Sequence, residues 1–340
     1  MFQLLTNFSA TLLLIIAITL GSLIGVFSPE RAEDLSSVVD VLIMILVSLL
    51  FFEISIGKLK EVRGNLRFLS LAWVVNFIII PLIGWAIASL FLSGQPLLFT
   101  GLLIYFIAPC TDWFLGFTRL AKGDVALGSV LIPINLVSQL LLFPIYLGFF
   151  VGESAGVGMV EIISTLWQWF LAPFLITISL HEVLKRILPV AIFKSLLGIT
   201  SSITPIVIAA LVACICSGNI NVILGNHSIF LLILVAVFTF FLVTYSFGKF
   251  ISNRFQLAYR EHALLTMTTA ARNAPLMLGI TTATFPDQPL IYAALIIGML
   301  VEFPHLTALK YILLREREAT ASAEYPIAAP TSSNTITESY

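Results

Sequence analysis

The sequence predicts an all-α polytopic membrane protein: ten transmembrane helices in two inverted five-helix repeats, with helices 4 and 9 broken and crossing. Three observations carry that expectation: a composition foreign to soluble domains, ten apolar stretches of spanning length, and basic residues gathered on one side. Of 340 residues, 59% are hydrophobic and 10% are charged, with a net charge of -1. Soluble domains carry about 25% charged and about 45–50% apolar residues. A soluble enzyme and a disordered protein are thereby excluded. With 17 Lys and Arg against 27 Phe, no basic surface for nucleic acid can be built.

A hydrocarbon core about 30 Å thick needs roughly 20 mostly apolar residues per spanning helix. Such stretches run over 7–27, 38–56, 68–92, 97–120, 125–151, 160–180, 194–217, 228–251, 261–285 and 290–314. Residues 229–243 do not alternate polar with apolar, which argues for helices over barrel strands. The first stretch has no basic residue before it and no small-residue cleavage site after it. It reads as a retained helix rather than a signal peptide.

Basic residues set the orientation. Lys58, Lys60, Arg63 and Arg67 fall between helices 2 and 3, and Arg119 and Lys122 between 4 and 5. Lys185, Arg186 and Lys194 fall between 6 and 7, Lys249, Arg254 and Arg260 between 8 and 9. Lys310, Arg315 and Arg317 close helix 10. Arg31 alone lies in an opposite loop, and Arg272 lies inside a helix. Both termini are expected in the cytoplasm, with the protein spanning the cell membrane. The repeats divide near Gly152 to Gly158, giving domains 1–155 and 156–318. A Ser/Thr/Ala/Pro-rich tail, 319–340, is expected to be disordered.

An odd number of helices per half inverts the second half, a common transporter construction with its site where interrupted helices meet. Helix 4 is interrupted at Ala108-Pro109-Cys110-Thr111-Asp112 and helix 9 at Ala271-Arg272-Asn273-Ala274-Pro275. These are the fourth helices of the two halves, and their prolines lie 166 positions apart. Proline removes an N–H and crowds the carbonyl four residues back. In lipid such a break survives only inside protein or beside a wet cavity. Pro81, Pro133, Pro144, Pro173 and Pro205 read as simple kinks. Asn135 in helix 5 and Glu302 in helix 10 are 167 positions apart, nearly the same offset.

Ionisable groups inside a bilayer point to function. Glu302, in the apolar run from Gly298 to Pro304, is a candidate proton or cation carrier, with Asn135 as its counterpart in the first half. Its bland role is to partner Arg272 or helix 9 backbone groups. Asp112 and Arg272 are expected to face each other, as a structural ion pair or with Arg272 serving an anionic substrate or replacing a coupling cation. Cys110 offers one soft thiolate, suited to a thiophilic solute that must also be released. Glu53, near Lys58, reads as structural. His305 reads as a satisfied helix histidine, and Cys214 and Cys216 as packing residues with no disulfide implied. No nucleotide-binding G-x-x-x-x-G-K-[ST] loop, metal-ligand cluster or cofactor motif is present, so transport coupled to an ion gradient is expected.

Ala108-Pro109-Cys110-Thr111, continuing through Leu120-Ala121-Lys122-Gly123-Asp124, resembles helix 4 of the arsenical-resistance-3 family of arsenite permeases. Thr268-Thr269-Ala270-Ala271-Arg272-Asn273 resembles that family's other broken helix, and Val301-Glu302-Phe303-Pro304 its late acidic motif. Lys122-Gly123-Asp124 is also similar to the bile acid:sodium symporter branch of the same superfamily. The resemblance implies a core of helices 3–5 and 8–10 and a panel of helices 1, 2, 6 and 7. It implies transport roles for Cys110 and Glu302 and a binding role for Asn273. Two residues depart from the pattern: Arg272 replaces a small polar residue, and Asp112 something small or apolar. The expected function is export of arsenite or a related metalloid oxyacid by proton antiport. The alternative is symport of an organic anion, with Arg272 replacing or supplementing a coupling cation such as sodium.

Overall fold

The computed structural model of the chain describes residues 2–53, 65–111, 113–151, 159–225, 227–286 and 288–324. Among these residues the secondary structure is helical, with no strand and one isolated β-bridge, Pro109 to Arg272. Residues 54–64, which include Lys58, Lys60 and Arg63, lie outside the described residues, as do Asp112 and the expected repeat boundary at 152–158.

Helix α1 (Phe2–Phe27) is followed by a short α2 (Pro29–Ser36) and by α3 (Val39–Phe52). The apolar stretches at 7–27 and 38–56 predict a loop between them. Instead α2 starts on Pro29, where a first-turn proline gives up no hydrogen bond. It buries Ala32 and sets Ser36 beside Gly218. Next come α4 (Leu66–Val74), capped by the Asn65 side chain, and α5 (Ile80–Leu92), joined through a π turn at Val75–Ile79. Another π turn, Leu147–Val151, ends α8 (Val125–Tyr146), and a third, Trp167–Leu171, joins α9 (Met159–Leu166) to α10 (Ala172–Ile187). Each π turn lies close to a proline, Pro81, Pro144 or Pro173, and a wider turn is one way a helix absorbs a missing N–H. Pro133 and Pro205 sit within continuous helices.

The remaining elements are α6 (Pro96–Ile107), α7 (Trp113–Leu120), α11 (Val190–Gly225), α12 (His227–Arg254), α13 (Tyr259–Ala270), α14 (Ala274–Thr284) and α15 (Pro289–Glu324). Helix α15 continues through residues 319–324, where the sequence reading placed the start of a disordered tail; residues 325–340 lie outside the described residues.

Six helical rods among the described residues are long and apolar enough to cross a membrane, and the α2–α3 pair, bent by 45°, makes a seventh if counted as one span. The chain is a multi-pass membrane protein. Helices α6 and α14 are apolar but short. At 1.5 Å per residue they extend only about 18 and 16 Å, because each stops at a break.

Large apolar side chains such as Leu90, Phe149 and Leu242 stand on the outer surface, as lipid-facing residues do. The half-helices are enclosed by protein: Thr100–Ile107, Ala263–Ala270 and Ala274–Thr281 are continuously buried. Close packing rests on small residues, which let helix backbones approach in lipid. A Cβ on Gly21 or Gly25 of α1 would come within 2.3 Å of the Ala213 or Ser217 carbonyl oxygen of α11. Gly101 plays the same part between α6 and α15, where a Cβ would meet Ile291 O at 2.5 Å.

Candidate functional site

The two breaks meet each other. Helix α6 ends at Ile107 and the chain becomes extended at Ala108; α13 ends at Ala270 and becomes extended at Ala271. The extended residues pair antiparallel. Cys110 N–H donates to Ala271 O at 3.0 Å, and Asn273 N–H donates to Ala108 O at 2.9 Å. Each break thus satisfies backbone groups that the other has freed. Asn273 then caps α14, with Pro275 in its first turn, and its Nδ2 donates to Thr111 Oγ1 at 3.1 Å. Cys110 is 1% exposed, held inside the crossing by its backbone.

Arg272 is fully buried. Its Nη1 donates to Phe106 O at 2.9 Å, and its Nη2 to Thr268 O at 3.1 Å and to Thr269 O. These are terminal carbonyls of two half-helices, α6 and α13, the ends where an unpaired helix carries partial negative charge. The guanidinium also lies 5.7 Å from the centre of the Phe240 ring, which stacks on Phe106 at 4.0 Å. The expected partner Asp112 lies outside the described residues. What is described is a cation held by carbonyl oxygens.

Glu302 of α15 points at the same place and is also fully buried. Its Oε1 accepts from the backbone N–H of Arg272 at 3.0 Å and from Trp113 Nε1 at 2.8 Å. Its Oε2 lies 3.2 Å from the Tyr105 hydroxyl, which is also 3.0 Å from Gly298 O. Of the sequence readings of Glu302, the structure displays the helix 9 backbone partner. Trp113 and Tyr105 were missed. Trp113 opens the second half of helix 4 directly after the break, and Tyr105 lies one turn before Pro109; these positions were the available signal.

Asn135 lies under the crossing. Its Nδ2 is 3.4 Å from Cys110 O and 3.3 Å from Thr268 Oγ1. Asn76, on the α4–α5 rod, donates to the same Thr268 hydroxyl at 3.2 Å and was also missed. The Oδ1 atoms of both asparagines, both amide atoms of Gln139 and Thr266 Oγ1 are buried with no partner. Unpaired buried polar atoms are uncommon and call for an explanation, of which a bound water or ion is one.

The other sequence-selected residues lie apart from this cluster. Glu53 accepts from Thr204 Oγ1 at 3.1 Å. His305 stacks on Phe241 at 3.9 Å, and its Nε2 has no hydrogen-bond partner. Cys214 and Cys216 are buried in α11 and in no disulfide. Cys216 helps line an apolar cavity of about 420 Å³ between α1, α11, α12 and α15. Among the described residues no cluster of three or more His, Cys, Asp or Glu side chains could hold a metal ion.

Comparison with known proteins places this architecture. Residues 39–226 match the Sodium Bile acid symporter family, a span that includes the first break and ends before the second. The chain is 23% identical over 269 residues to the arsenical-resistance protein Acr3 of Corynebacterium glutamicum, covering 76% of this chain and 72% of that protein. It is also 23% identical over 210 residues to the probable chloroplastic sodium/metabolite cotransporter BASS2 of Oryza sativa subsp. japonica, covering 60% of this chain and 46% of that one.

Proposed function

The chain belongs to the Sodium Bile acid symporter family, and from that premise we propose that it exports arsenite or a related metalloid oxyacid across the plasma membrane in exchange for protons. The observation that carries this reading is the fully buried carboxylate of Glu302 at the same crossing that encloses Cys110. One thiol and one carboxyl group on opposite sides of a helix break supply a solute ligand and a proton carrier. Similarity to the arsenical-resistance protein of Corynebacterium glutamicum supports the metalloid as solute.

In this proposal the described rods make ten spans: α1, α3, α4–α5, α6–α7, α8, α9–α10, α11, α12, α13–α14 and α15. Residues 1–155 and 156–318 form the inverted repeats, with both termini cytoplasmic. Spans 3–5 and 8–10 form the core, and spans 1, 2, 6 and 7 the panel. Arsenous acid is neutral near neutral pH and can enter an apolar path. The Cys110 thiol displaces one hydroxyl from arsenic, forming a sulfur–arsenic bond and releasing one water. Hydrolysis by one water on the far side restores the thiol and the acid. Asn273 and Asn135 orient the solute and the coupling group. Glu302 takes up a proton on one face and releases it on the other.

A second reading, symport of an organic anion, draws on the name of the rice relative and on the unpartnered Nε of Arg272. The three carbonyls that already occupy the guanidinium favour the first.

The test is uptake of radiolabelled arsenite by everted vesicles, with and without a proton gradient. Gradient-driven uptake is expected in the parent and absent in Cys110→Ser, while Cys214→Ser and Cys216→Ser transport normally. Glu302→Gln should lose the gradient dependence. A parent that shows no gradient-driven uptake refutes the arsenite assignment, and normal uptake by Cys110→Ser refutes the thiolate step.

A further inference from the structure

Two helix C-termini converge on one point in this protein, and a side chain already fills that point. Helices α6 and α13 both stop at the crossing, so the last carbonyls of both lie in the buried interior. In membrane transporters with broken helices, unwound carbonyls and half-helix C-terminal ends are where coupling cations are coordinated. Here Phe106 O, Thr268 O and Thr269 O all accept from the Arg272 guanidinium. Glu302 meets Arg272 through the backbone N–H. A second observation concerns the same residue from its side chain: Asn76 and Asn135 both donate to the Thr268 hydroxyl, and their Oδ1 atoms are buried and unpartnered. Two hard oxygens with unused lone pairs thus belong to side chains that touch the residue whose carbonyl the guanidinium caps.

We infer that the Arg272 guanidinium is a tethered cation occupying a latent alkali-cation site, which makes the protein independent of sodium and which opens to sodium when the side chain is shortened. The carbonyls of Phe106, Thr268 and Thr269 supply the site, and the amide oxygens of Asn76 and Asn135 are the neighbouring groups able to complete it. A guanidinium suits such a place because its planar donors match several carbonyls at once and it keeps its charge. A covalently held charge adds nothing to the charge moved per cycle, whereas a dissolved ion would.

The inference concerns cation binding alone and its test uses no solute and no proton gradient, so it stands or falls apart from the metalloid proposal. Purified Arg272→Ala is melted in detergent in sodium, potassium or choline chloride at equal ionic strength. Its melting temperature is expected to rise saturably with sodium relative to choline. The parent and Arg272→Lys, which keeps a tethered charge, should melt alike in all three salts. Methylguanidinium at low concentration should stabilise Arg272→Ala and leave the parent unmoved. Equal melting of Arg272→Ala in sodium and choline overturns the inference, as does sodium-specific stabilisation of the parent. If Arg272→Ala is not recovered in choline, the yield of monodisperse Arg272→Ala and Arg272→Gln solubilised in sodium against choline becomes the readout. Higher yield in sodium supports the site, and equal yield overturns it.

Discussion

Replacing Glu302 by alanine and by glutamine separates its role as an acceptor from its role as a charge. Two donors end on Oε1, Trp113 Nε1–H at 2.8 Å and Arg272 N–H at 3.0 Å. Alanine strands both. A buried donor left without a partner costs about 1–3 kcal/mol, so Glu302→Ala should lose about 2–6 kcal/mol, before any cost of the cavity left behind. The Tyr105 hydroxyl adds little to that figure, because Gly298 O at 3.0 Å remains as its acceptor. Glutamine keeps an oxygen at the Oε1 position. Its amide N–H donates to the Tyr105 oxygen while that hydroxyl donates to Gly298 O. Each donor and acceptor at the crossing thus keeps a partner, so the net change should be within about 1 kcal/mol. The assay is thermal melting in detergent, read by size-exclusion chromatography after heating. Glu302→Gln should track the parent and Glu302→Ala should melt several degrees lower. Should the two variants melt within about a degree of each other, the carboxylate is not the acceptor that closes the crossing.

Other predictions follow from the same geometry. Single cysteines at Gln95, Asn221 and Gln288 should react with membrane-impermeant reagents from outside, and one at Lys185 should not; the reverse pattern overturns the orientation. Gly25→Val places a side chain 2.3 Å from Ser217 O, and because that oxygen is backbone, α1 must move off α11. Overpacking of this kind costs about 1–3 kcal/mol, and a melting temperature unchanged from the parent would refute the close contact. Arg272→Asp, alone or combined with Asp112→Arg, sets a carboxylate against three carbonyl oxygens. Both variants should give little folded protein, and a well-folded exchange variant would show that charge pairing outweighs carbonyl capping.

The sequence and the structure agree where local chemistry decides and part where distant residues meet. Hydropathy and proline placement located both breaks, because an interrupted apolar run is a local property. The partners of Glu302 were not legible: Trp113 and Tyr105 lie 189 and 197 positions away. No periodicity connects such residues. Charge complementarity suggested Asp112 for Arg272. The helix ends beside the guanidinium offer it carbonyls as well, since Thr268 and Thr269 lie only four and three positions before it. Gly21 and Gly25, a small-residue pair one turn apart, carry a local signal for the α1–α11 contact. Pro81, Pro144 and Pro173, beside the three π turns, are visible in the sequence, but a proline alone does not say whether the helix kinks or widens.

The pairing of Cys110 with Ala271 and of Asn273 with Ala108 has a consequence for how the chain is made. The first break enters the bilayer long before its partner exists. Between Pro109 and Arg272 lie 163 positions, and at about 5–20 residues per second the ribosome needs roughly 8–30 s to cover them. Throughout that interval Ala108 O and Cys110 N–H lack the partners they have in the finished crossing. Nascent chains halted before Arg272 should therefore be held at the insertion machinery or degraded. Release into the lipid waits on a short stretch synthesised near the end, so the crossing acts as a checkpoint on the completeness of the chain.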